Sequence, residues 1–165
     1  MNKDDKTAFN RITKYEELIL ASTKSTRVSL AGVRIGRYSL SEHRHNLLMR
    51  VPNPGDYVKV GVNSLELMDL AFLSAKTGHE FAILRGKHED VLFHGTSTEC
   101  KLKGELYDGL ISHKYELVGH SHPGEEEPTP SMIDREALKE IGQKMSTVIS
   151  ARTGRTVDYT EDPFE

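Results

Sequence analysis

Residues Val118–Asp134 read "VGHSHPGEEEPTPSMID", and the fold and chemistry of the chain turn on this stretch. His120 and His122 stand one residue apart at the end of "KYELVGHSH", which reads as a strand. Residues i and i+2 of a strand project to the same face, so the two imidazoles leave it together. Pro123 ends the strand, and a loop follows. Ser131-x-x-Asp134 then opens an amphipathic helix to about Met145, with Ile133, Ala137, Leu138, Ile141 and Met145 inward. Asp134 lies in its first turn, beside the inward stripe, and can turn back toward the strand end. Two imidazoles and a carboxylate are three corners of a tetrahedral zinc site whose fourth corner stays open, as in catalytic sites. The plain alternative is a helix capping box, with Asp for the usual Glu or Gln, next to ordinary strand-end histidines. The two readings are compatible, because a capping Ser can still present its hydroxyl to a site.

Outward from this stretch, the pattern after Val51–Asp56, "VPNPGD", is regular. That turn-rich break suggests a boundary, with a segment 1–55 before it and a domain 56–165 after it. "YVKVGV" reads as a strand. Ser64 can cap a helix from Leu65 to about Lys76, with Leu67, Met68, Ala71 and Phe72 on one face and Gly78 past its end. "EFAILRG" and "VLFHGTS" read as strands, and "CKLKGELYDGLISH" is ambiguous. "STVISART" and "TVDYTE" form a closing hairpin around "TGR". Before the break, Phe9, Ile12, Tyr15 and Ile19 recur at helical spacing, so "DDKTAFNRITKYEELILAST" reads as a helix. "TRVSLAGVRIGRYSLSE" reads as two strands, with Val28 and Leu30, then Val33 and Ile35. Strands alternating with helices indicate an α/β (α+β) layer fold carrying an N-terminal extension.

Composition narrows the chemistry. The net charge of −3 gives no basic field for nucleic acid, and no apolar run approaches the length of a membrane span. The N-terminus lacks a signal-peptide core, and one cysteine, Cys100, excludes a disulfide framework and a four-cysteine zinc site. A cytoplasmic location is the expectation, and any metal must be held by histidines and carboxylates. His43-Arg44-His45 with Asp56 repeats the His-x-His…Asp spacing. It lacks the Pro and the Ser-x-x-Asp helix start, and is expected to face solvent.

"HSHPGEEEPTPSMID" resembles the metal motif of the JAMM (also MPN or JAB) metallopeptidases: His-x-His-Pro, a loop, then Ser-x-x-Asp. That family adds a catalytic Glu opening an apolar strand that follows the first long helix and runs into a Gly. "HEFAILRG" places Glu80 and Gly86 on this pattern. Taken alone, Glu80 reads as an exposed strand-end carboxylate. The resemblance covers roughly residues 57–165, and is most like bacterial JAB domains of toxin- or phage-associated type. It departs twice from the family: Glu80 to Gly86 is one residue shorter and lacks an inner Gly, and Pro123–Ile133 makes eleven residues where ten are usual. A loop absorbs one residue at little cost.

The resemblance implies a central mixed sheet flanked by helices, and a zinc-dependent metallopeptidase acting on a peptide or isopeptide bond, with ubiquitin-like deconjugation or processing in its range. Its metal ligands would be His120, His122 and Asp134. Glu80 would accept the proton of the attacking water, and the Ser131 hydroxyl would donate to the oxyanion. The partner would be a protein or peptide substrate. Glu125, Glu126 and Glu127 lie in the loop beside the metal motif and read as a solvated run, the alternative being attraction of a basic or lysine-containing substrate; Glu161–Glu165 reads as a solvated tail. Two other classes are a non-catalytic binding or scaffold module of the same fold and an unrelated metal-dependent phosphoester hydrolase. Against the latter stands the lack of a two-metal carboxylate cluster or a Gly-rich phosphate loop.

Overall fold

The structure, a computed structural model, describes residues 16–22 and 35–164. Its strands are β1 (Glu17–Ala21), β2 (Tyr57–Gly61), β3 (Phe81–Arg85), β4 (Glu89–His94), β5 (Glu99–Lys103), β6 (Glu116–His122), β7 (Met145–Ser150) and β8 (Thr156–Thr160). Its helices are α1 (Glu42–Arg50), α2 (Leu67–Thr77), α3 (Glu105–Ile111) and α4 (Met132–Ile141). Six strands form one mixed sheet in the order β2-β4-β3-β6-β7-β8, and β1 pairs with β5 in a separate two-stranded sheet. Among the described residues only β6 and β7 run parallel, joined through α4; every other pairing there is antiparallel. The mixed sheet flanked by helices is the α+β architecture expected.

Period-two alternation sorts the core into two layers. On β3, Ala82 and Leu84 join Leu18, Leu20, Leu102, Leu110, Leu138 and Val148. Phe81 and Ile83 face the other way and join Leu47, Leu70, Leu73 and Ile149. The first layer packs β1, β5, α3 and α4 against one face of the sheet; the second packs α1 and α2 against the other.

Several expectations need correction. The helix expected through Ile19 is a strand at Glu17–Ala21; its residues before 16 lie outside the described ones. Leu18 and Leu20 alternate inward, and pairing with the edge of β5 settles a run whose local pattern suits either state. Of the strand pair expected in residues 26–42, Ile35–Arg37 is a 3₁₀ turn, and residues 23–34 lie outside the described ones. Helix α1 was not anticipated, although Ser41 caps it by accepting from the Arg44 N–H. Helix α2 is capped by a reciprocal Glu66–Asp69 box, while the Ser64 hydroxyl donates to the Gly61 carbonyl. Its buried face carries Leu70, Ala71 and Leu73, leaving Met68 exposed. Gly78 ends it at φ 75°, as expected of a left-handed cap. Helix α4 stops at Gly142, φ 66°, so Met145 belongs to β7; both Met145 and Ile133 are exposed. The ambiguous stretch is β5 followed by α3.

Candidate metal centre

The strand that carries the histidines is re-phased just before them. Leu84 opposes Leu117 and Ile83 opposes Gly119, which leaves Val118 as an extra residue on β6. This β-bulge puts Leu117, His120 and His122 on one face, the α4 side, and turns Val118 toward the α2 layer. Gly119 is required beside the bulge. A Cβ there would stand 2.6 Å from Leu67 Cδ2 and 2.7 Å from the Thr147 carbonyl oxygen.

His120, His122 and Asp134 are fully buried and converge. His120 Nε2 and His122 Nε2 are 3.2 Å apart, and each is 3.2 Å from Asp134 Oδ2. A tetrahedral ion with bonds of about 2.0 Å needs ligand atoms about 3.3 Å apart along each edge. The three atoms therefore form one face of such a tetrahedron.

Asp134 reaches the site through its cap. Ser131 Oγ accepts from the Asp134 N–H at 3.0 Å, and Asp134 Oδ2 accepts from the Ser131 N–H at 3.0 Å. The capping box and the ligand corner are thus one arrangement. Burial works against the charge on Asp134, but His120 and His122 hold its carboxyl far below the usual carboxylate range.

Glu80 is fully buried, not the exposed strand-end carboxylate of the plain reading. It precedes β3, whose Ala82 lies opposite His120. A carboxylate oxygen of Glu80 lies within 4.8 Å of ring nitrogens of both histidines, farther out than Asp134. Its Oε2 accepts from the Ser22 N–H at 3.1 Å, while Oε1 has no partner among the described residues. Burial pushes the Glu80 carboxyl well above the usual range; His122 opposes this and Asp134 adds to it. A buried carboxylate oxygen without a donor is costly unless something mobile, such as a water, is meant to meet it.

Glu125 is a residue of this cluster that sequence reasoning missed. It is buried rather than solvated, and its Oε2 lies 2.9 Å from His122 Nδ1. The Pro123–Gly124 turn folds it back, and its Oε1 accepts from the Thr129 N–H at 3.1 Å. With Nδ1 held by Glu125, Nε2 is the ring atom that faces the centre, and loss of its proton would free it for a metal. Burial would lower the His122 pKa, but Asp134 and Glu125 raise it to about 10. The available signal was the turn-forming Pro-Gly after the second histidine, which makes His122 and Glu125 the ends of a four-residue turn. Glu126 and Glu127 are exposed as expected, paired with Arg152 and Arg155.

The end of β1 also belongs to the centre. The Ala21 N–H donates to Asp134 Oδ1 at 2.9 Å, and the Ser131 hydroxyl donates to the Ala21 carbonyl at 2.5 Å. His43 and His45, by contrast, lie exposed on α1, where residues two apart point in different directions. Searches against protein families, characterised proteins and solved structures return no match to the chain. The buried His, His and Glu group can hold a metal ion, and that capacity rests on geometry alone.

Proposed function

We propose that the chain is a zinc-dependent amide hydrolase, a metallopeptidase in which His120, His122 and Asp134 hold the ion. The observation that carries this reading is the equilateral 3.2 Å triangle of His120 Nε2, His122 Nε2 and Asp134 Oδ2, with the unpartnered Glu80 oxygen nearby. The nitrogen–oxygen donor set and one open corner suit zinc in a catalytic rather than a structural role. Bound there, zinc would supply the Lewis acidity that brings the ionisation of water toward pH 7, roughly, and polarises a carbonyl. Glu80 takes the proton of the attacking water and returns it to the leaving amine. The Ser131 hydroxyl stabilises the oxygen of the tetrahedral carbon. Glu125 fixes the His122 ring and its tautomer. The resemblance to JAMM metallopeptidases agrees with these roles and widens the substrate range from peptide to isopeptide bonds.

Glu80→Gln separates the roles. It should retain zinc while cleavage of a peptide panel falls by at least about 100-fold, the low end for loss of a general base. A Glu80→Gln protein that cleaves as fast as the parent contradicts the assignment.

A further inference from the structure

The chain presents one of its own peptide groups to this centre. The Ala21–Ser22 amide has its carbonyl oxygen on the Ser131 hydroxyl at 2.5 Å and its N–H on Glu80 Oε2 at 3.1 Å. Those are the two groups assigned to the oxyanion and to the leaving amine. The preceding N–H, of Ala21, is held by Asp134 Oδ1 at 2.9 Å. The Ser22 N–H is shared with the Thr98 carbonyl at 3.2 Å, which continues the β1–β5 ladder up to this bond. An amide laid across a hydrolytic centre with each end on the matching group is oriented as a substrate.

We propose that the Ala21–Ser22 peptide bond is a substrate of this site, and that the chain cuts itself there. This rests on the hydrolase reading above. In the cut, water adds across the amide. Its oxygen bonds to the Ala21 carbonyl carbon, Glu80 carries a water proton to the Ser22 nitrogen, and the C–N bond breaks. The products are a carboxylate on Ala21 and an ammonium on Ser22, which together hold every atom of the water. No oxidant or co-reactant is needed.

The seating also defines what else the site accepts. The acyl side lies as an antiparallel strand on the edge of β5, from Glu17 opposite Lys103 to Ala21 opposite Glu99. Main-chain bonds of this kind give affinity without regard to sequence, and the side-chain pockets give selectivity. Ala21 is buried beside the bond, and Leu20 and Leu18 are fully buried on the core side. The favoured substrate is an extended Leu-x-Leu-Ala segment cut after the Ala. Such a segment can enter only when β1 leaves the edge of β5.

The experiment uses the full chain. Metal-free protein is loaded with one equivalent of zinc, denatured, and weighed by mass spectrometry, with labelling of new N-terminal amines. Fragments 1–21 and 22–165 are expected, with Ser22 as the new N-terminus, while zinc-loaded Glu80→Gln remains intact. Hydrogen exchange on metal-free protein gives a readout that does not depend on turnover: the Ser22 amide should exchange at least about 10-fold more slowly than in a free peptide of residues 16–26. A zinc-loaded chain that stays whole while it cleaves added peptides overturns self-cleavage and leaves the hydrolase standing, with β1 a strand that gives way to substrate uncut. An unprotected Ser22 amide overturns it too. A chain that binds no zinc removes both readings.

Discussion

Asp134 performs several tasks with two oxygens. Oδ2 faces both histidines and closes the cap on the Ser131 N–H, while Oδ1 takes the Ala21 N–H. Glu125 has a narrower task, because its contact with the centre runs through His122 Nδ1. Removing that support should weaken metal binding without deleting a ligand. Glu125→Gln is expected to lower zinc affinity by about 10- to 100-fold, measured by competition with a chromophoric chelator. Affinity equal to the parent protein would make the Glu125–His122 contact incidental. The residue was hidden in the sequence because an acidic run ordinarily faces solvent. Burial singles out one of three adjacent glutamates, and burial depends on the turn, on the Ser150 hydroxyl that donates to the Glu125 carbonyl, and on the chain packed around them.

Among the elements, β6 decides whether the histidines reach the site at all. Strand parity predicts correctly that His120 and His122 share a face, but not which face. The bulge at Val118 sets that, and a bulge arises from pairing with β3, which no local pattern announces. Gly119 is its legible trace. Gly119→Ala drives a methyl toward the backbone carbonyl of Thr147, which cannot rotate away as the Leu67 side chain can. The cost should be about 1–3 kcal/mol, seen as a lower denaturation midpoint with the slope unchanged. An unchanged midpoint would show that β6 and β7 can separate freely there. The α4 cap, by contrast, was fully legible, because Ser-x-x-Asp encodes both the hydrogen bonds and the position of the carboxylate within four residues. The same strand–cap reasoning failed for β1. "ELILA" offers two leucines at alternate positions and an isoleucine that also fits a helical stripe, and only the distant edge of β5 selects the strand.

Across the whole molecule, the α+β layering and the strands after Val51 were legible because their alternation and turns are local. The attachment of β1 was not, since it joins residues far apart in the sequence. A second long-range tie holds the sheet to the loop before α2. Asp90 is fully buried on β4, and its carboxylate accepts from Arg85 on β3 at 2.9 Å and from the Leu65 N–H at 3.1 Å. Burial alone would raise its pKa, but Arg85 and the Leu65 and Asn63 N–H groups hold it below the ordinary value. A folded-state pKa below the unfolded one gives stability that is present above the unfolded value, about 3.9, and is lost as pH falls through the folded value. Asp90→Asn should therefore cost about 2 kcal/mol at pH 7, less than a fully enclosed pair because Arg85 is partly exposed. The gap to the parent protein should narrow below about pH 4, where Asp90 of the unfolded chain takes up a proton while the folded one still resists it. Thermal melts across that range read it directly, and a gap that widens in acid would reverse the sign of the assignment.

Three buried side chains from β6 and α4 are proposed to form one zinc site. Elemental analysis of the protein dialysed against trace zinc tests it most directly. One zinc per chain is expected for the parent protein, and a near-complete loss for His122→Ala. An equal zinc content in the two proteins, or none in either, would contradict it.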